Sequence, residues 1–189
     1  MKGVLRRSAQ TIGEARQSLL LATAVFACGC LAGAVFHDRL GFLQDQVEKL
    51  LRQFSDKTAL DFITSIFLHN LLAAYVAMCF ITFFGILPLA IALFNGLLIG
   101  WFGASLVPVH GPEILFMLLP HGVFEIPAVV IAWGVGIWRG FGYRMTDRGS
   151  SSLERWQQAH LVFVAWVLPL LLMAAVIEGR YHLAKALLG

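Results

Sequence analysis

Charged residues fall in only a few stretches of this chain, and the apolar runs between them set its architecture. Ser18 to Phe36 is 19 residues without a charge. A membrane-crossing helix needs about 20 predominantly apolar residues, so this run makes one span, near 18–36. Phe62 to Pro112 is 51 residues without Asp, Glu, Lys or Arg, which is too long for one crossing and sufficient for two. Gly85-Ile86-Leu87-Pro88 punctuates the helical pattern and divides it into spans near 62–83 and 88–107, expected as antiparallel neighbours. Ile114 to Trp138 makes a fourth span, 114–138, uncharged except for Glu125. Pro120, Gly122 and Pro127 interrupt it, and each proline removes a backbone donor and clashes with the carbonyl four residues back. This span is therefore expected to be kinked or broken, its irregular backbone satisfied by protein or water. A basic loop over 139–160 leads to a fifth span, 161–177. The pattern predicts one integral membrane domain over 1–189, an all-α bundle of about five transmembrane helices.

Between the first two spans, the 25 residues from His37 to Asp61 carry five acids and four bases, with Leu43, Val47, Leu50, Leu51 and Phe54 at helical spacing. This 37–61 segment is expected to be an amphipathic helix lying on the membrane or on a partner. Met1 to Gln17 is a second amphipathic stretch, basic in character. The run after it is too long for a signal-peptide core and has no convincing small-residue cleavage site, so it is expected to remain as a span.

Composition narrows the class further. Of the 189 residues, 59% are hydrophobic and 13% charged, and the mean hydropathy is +0.78. Soluble domains carry about 25% charged residues, so a soluble enzyme, a disordered tail and a disulfide scaffold are excluded. The formal charge is +3, but Lys and Arg lie between apolar runs and form no surface stripe for nucleic acid. They act instead as topology determinants: an N-terminus inside the cell places eight of them on the cytoplasmic side and six outside. Cys28, Cys30 and Cys79 fall inside apolar runs and read as small packing residues. Phe26 is too bulky for a lipobox ending at Cys28.

Five polar residues lie within the spans: His69 and Asn70 in the second, Asn95 in the third, and His121 and Glu125 in the fourth. An ionised, unpaired carboxylate at mid-membrane costs about 2.5–3.5 kcal/mol on insertion scales, so Glu125 must be neutral, paired or wet. The five residues read either as an interhelical polar lock or as a functional site. Two His and one Glu are enough to ligate zinc, but the His-Glu-x-x-His signature is missing and no metal or other cofactor is expected. Phosphate-loop and Gly-x-Ser-x-Gly signatures are absent too, and Ser105 reads as a packing residue; no enzymatic activity is expected. Gly29-x-x-x-Gly33, and Gly96-x-x-x-Gly100 followed by Gly103, are small-residue spacings that let helix backbones approach, within the bundle or between subunits.

The string Leu119-Pro120-His121-Gly122-Val123-Phe124-Glu125-Ile126-Pro127-Ala128, preceded by Asn95-Gly96-Leu97-Leu98-Ile99-Gly100, resembles the stage II sporulation protein M family of integral membrane proteins. The likeness runs from about Phe62 to Tyr143, with hydropathy alone matching elsewhere. Where the family usually has an Asn-Asn pair, this chain has His69-Asn70. The resemblance implies a helical membrane protein that, in endospore formers, acts as the scaffold of an engulfment complex holding peptidoglycan-degrading partners at the septum. Members also occur in organisms that do not sporulate.

The function expected from residues and resemblance together is a non-enzymatic membrane scaffold or assembly factor in the cell membrane. Its expected partners are the lipid bilayer and other membrane or cell-envelope proteins, with a homo-oligomer also open. The alternative is a transporter or permease component with an intramembrane polar site around Glu125.

Overall fold

The structure is a computed structural model describing residues 2–44, 59–79, 85–111, 113–142 and 149–177. All regular structure among them is helical. Helix α1 covers Lys2–Glu14 and α2 Arg16–Val35, followed by a single 3₁₀ turn, His37–Arg39. Helices α3 (Ala59–Cys79), α4 (Ile86–His110) and α5 (Glu113–Ile137) come next, and α5 runs on into a π-helical turn, Trp138–Gly142. Helix α6 starts with Ser152–Val162, widens into a π turn at Phe163–Val167 and reaches Ile177. Among the described residues, four helical segments are long and apolar enough to cross a membrane, in α2, α4, α5 and α6, and α3 adds a shorter apolar stretch, Ile63–Cys79.

Helix α5 is the axis of the bundle. Ala128, Ala132, Trp133, Val135, Ile137 and Trp138 along its second half are buried. Gly134 and Gly136 stand two residues apart, hence about 200° around the helix, and so face different neighbours. A Cβ on Gly134 would lie 2.6 Å from the Leu19 side chain of α2, and one on Gly136 would lie 2.5 Å from the Ala77 carbonyl of α3. Helix α5 is thus clamped between α2 and α3, with Phe26 and Trp133 packing at a ring separation of 5.8 Å.

The most extensive helix pairing joins α2 to α4. Gly29 packs on Leu93 and Gly96, Gly33 on Leu97 and Trp101, and Gly100 on Cys30. Because the partners rise together in number, the two helices run parallel. Lipid is as apolar as leucine, so this pairing rests on dispersion contacts between closely approached backbones. Helices α3 and α4 touch only slightly, so the expected pairing of the second and third spans gives way to α2–α4. Hydropathy shows where a span is, whereas glycine placement decides which spans can approach.

Two local features differ from the sequence expectation. Helix α5 is continuous from Glu113 to Ile137, so of the two forms expected, kinked or broken, the break is absent. Helix α6 begins at Ser152, inside the expected 139–160 loop. The Ser151 hydroxyl accepts from the Glu154 N–H at 3.2 Å and the Ser151 N–H donates to Glu154 Oε2 at 2.6 Å, a complete capping box. The π turn that follows lets the Leu168 N–H bond back to the Phe163 carbonyl, five residues away. Pro169 has no N–H and crowds the carbonyl four residues before it, so the wider turn relieves that conflict.

Gly85 and Ile137 are adjacent, as are Leu19 and Gly134, and Tyr75 and His160. The start of α2, the end of α3, the start of α4, the end of α5 and the start of α6 therefore share one end of the bundle. Residues 45–58, the greater part of the expected amphipathic segment 37–61, lie outside the described residues; within its described part Leu43 is buried.

Candidate functional site

At the end where α2 begins, Arg139 enters the protein rather than the solvent. It follows directly on the apolar run of α5, is only 5% exposed, and donates from Nη1 to the Met78 carbonyl at 2.7 Å and the Cys79 carbonyl at 3.3 Å. Both carbonyls lie in the last described turn of α3, toward the end of the helix that carries the negative pole of its dipole. The guanidinium answers that pole. Its carbon also lies 4.5 Å above the Trp156 ring, so the charge is shared between backbone oxygens and a π face.

Beside it, α6 presents His160. Its Nδ1 is 2.8 Å from the Trp156 carbonyl, which only accepts, so Nδ1 carries the hydrogen. In the neutral ring Nε2 is then the acceptor for the Tyr75 hydroxyl of α3, at 2.9 Å. Tyr75 makes edge-on contacts with His160 and with Phe163. Arg155, also buried, donates to the Ser150 carbonyl at the start of α6. The arrangement joins α3, α5 and α6 through one cation, one imidazole and three aromatic rings.

The second polar locus lies deeper in the bundle, toward the middle of α3 and α5. Ile66, Phe67 and Asn70 of α3, Glu125 of α5, and Leu171, Ala174 and Ala175 of α6 line a small cleft of about 200 Å³ including its mouth. Glu125 is 14 residues before Arg139, roughly 20 Å along the helix at 1.5 Å per residue. Asn70 and Glu125 of the expected cluster therefore share one site. His69 is exposed, and Asn95 donates to the Ile91 carbonyl of its own helix at 2.8 Å. Neither lines the cleft. The backbones of Pro120 and His121 are helical, but their side chains lie outside the described residues. Pro127 is exposed on α5. A cluster of three or more His, Cys, Asp or Glu able to hold a metal is not found among the described residues.

Of the glycines singled out in the sequence, Gly29, Gly33, Gly96 and Gly100 line the α2–α4 crossing, while a Cβ on Gly103 would meet nothing within 4 Å. Gly134, Gly136 and Arg139 escaped the sequence reading. Their signals were a glycine pair two apart, pointing to two helices rather than one, and a cation set directly against the end of an apolar run.

These features define a polytopic α-helical membrane protein with a polar, aromatic tie at one end and a carboxyl-bearing cleft toward its middle. The family model for stage II sporulation protein M matches residues 22–181, and the chain belongs to that family. No match was found among curated proteins or among solved structures.

Proposed function

We propose that this protein is a non-enzymatic membrane scaffold or assembly factor that binds other membrane or cell-envelope proteins. The observation that carries the reading is the family match over residues 22–181, to a family named for a stage of sporulation. The packing supports it: α5 is held by backbone-close glycine contacts on two sides and tied to α3 by Arg139, which makes a rigid frame. A rigid frame holds partners in fixed relation without chemistry of its own. The partner-binding surface assigned here is the 37–61 segment, whose sequence pairs an apolar stripe with nine charges. A photo-crosslinking residue at Val47 or Phe54 should capture a membrane or cell-envelope protein in native membranes. Capture of lipid alone would count against that surface.

The N-terminus is assigned to the cytoplasm. The segment before the first span and the stretch 139–160, which share one end, hold eight Lys and Arg with three acids. Reporter fusions at residue 1 and in the 143–148 connector should both read as cytoplasmic.

The Asn70–Glu125 cleft favours one other reading, a transporter component in which Glu125 takes part in the transport cycle. Proteoliposome flux that is indifferent to Glu125→Gln removes Glu125 from any such role.

A further inference from the structure

Helix α1 is docked rather than trailing. Its inner stripe buries Ser8, Thr11 and Ala15, and it packs along the first part of α6. The Trp166 indole N–H of α6 donates to the Ser8 hydroxyl at 3.0 Å, and that hydroxyl donates in turn to the Leu5 carbonyl. The helix is therefore a fixed part of the bundle. Lys2, Arg6, Arg7 and, just past its end, Arg16 are all exposed, and none is ion-paired with a described residue.

These cations stand where helix electrostatics oppose them. The first turn holds no acidic residue, so the positive pole of the α1 dipole meets Lys2 with Arg6 and Arg7 one turn further on. Such an arrangement disfavours the helix unless an anion outside the protein offsets it. Next to the cations, Val4 and Leu5 are 43% and 44% exposed, continuing the inner stripe past the point where α6 covers it. Trp166 of α6, partly exposed, holds the next turn of α1 through Ser8. Cations and exposed aliphatic side chains on one docked helix match the chemistry of a phospholipid surface: phosphate for the cations, upper acyl chain for Val4 and Leu5.

We propose that α1 is a docking platform for anionic phospholipid headgroups, held against the bundle by the Ser8–Trp166 bond. The source is lipid rather than an acidic protein because the aliphatic pair lies beside the charges, where it gains by entering the acyl boundary.

The test uses the full-length protein in a neutral detergent, titrated with phosphatidylglycerol or phosphatidylcholine, with bound lipid counted by native mass spectrometry. Phosphatidylglycerol is expected to bind more tightly than phosphatidylcholine. Each cation near an anionic surface is worth about fivefold in affinity, so Arg6→Gln with Arg7→Gln should weaken phosphatidylglycerol about 25-fold and leave phosphatidylcholine unchanged. The charge-keeping pair Arg6→Lys, Arg7→Lys should retain the preference, and the melting temperature of both pairs reports whether the bundle is intact. Equal affinity for the two lipids, or a preference for phosphatidylglycerol that survives the glutamine pair, overturns the proposal. So does a photo-crosslinker at position 6 that captures an acidic protein in native membranes and no lipid.

Discussion

Arg139 Nη1 lies 2.7 Å from the Met78 carbonyl, so the cation that follows α5 ties it to α3. In water an arginine gains little from such a bond, but at 5% exposure its loss leaves backbone acceptors and a ring face unfilled. Arg139→Met is expected to destabilise the bundle by about 1.5–3 kcal/mol, the range for hydrogen bonds to a charged group. Trp156→Leu should cost about 0.5–2 kcal/mol by removing the π face. Thermal unfolding in detergent measures both. The double variant should lose less than the two single losses combined, because the variants remove one shared contact. Strict additivity contradicts the tie.

The α2–α4 crossing predicts sharply different tolerance at neighbouring glycines. A Cβ at Gly29 would fall 2.5 Å from the Leu93 carbonyl, a rigid backbone atom, whereas one at Gly103 meets nothing within 4 Å. Gly29→Ala should cost about 1–3 kcal/mol through forced separation of the helices. Gly103→Ala should stay within about 0.5 kcal/mol of the parent. Equal melting temperatures for the two variants would contradict this packing.

Tyr75 and His160 hold α3 to α6 through a single side-chain bond of 2.9 Å. Interhelical hydrogen bonds in membranes average about 0.6 kcal/mol and reach about 1.7 kcal/mol. Tyr75→Phe keeps the ring contacts with Phe163 and His160 and removes only the hydroxyl, so its loss in a chemical unfolding series should fall in that range. A loss above about 3 kcal/mol would point to a wider rearrangement.

Asn70 and Glu125 line one cleft across α3 and α5. Asn70→Ala and Glu125→Gln should be coupled by at least about 0.6 kcal/mol in a double-mutant cycle. His69→Ala, at an exposed position outside the cleft, should add independently to either. Additive losses for the Asn70–Glu125 pair would separate the two residues energetically.

Much of this fold was legible before any coordinates, because a bilayer imposes its thickness on the sequence. The apolar runs marked the crossing helices, and Gly29, Gly33, Gly96 and Gly100 pointed to close packing because only glycine lets two backbones meet. The choice of partners was not legible: α2 pairs with α4, although α3 precedes α4 in the chain. That choice depends on which glycine faces align, a three-dimensional matter that hydropathy does not carry. The polar set was half legible. Asn70 and Glu125 line one cleft, but Asn95 satisfies itself on the Ile91 carbonyl, a local bond always open to an asparagine within a helix. Arg139 was overlooked because a cation beside a span reads as a topology signal, and only the neighbouring Met78 and Cys79 carbonyls of α3 turn it into a tie. The early start of α6 was written in Ser151-x-x-Glu154 and passed over inside a polar loop.

The scaffold reading is tested most directly by mild crosslinking of the full-length protein in native membranes, followed by affinity purification and identification of what accompanies it. The account predicts stoichiometric recovery of other membrane or cell-envelope proteins, lost when Val47, Leu50, Leu51 and Phe54 are made polar while the membrane level of the protein is unchanged. Recovery of the protein alone, or only with further copies of itself, would contradict it.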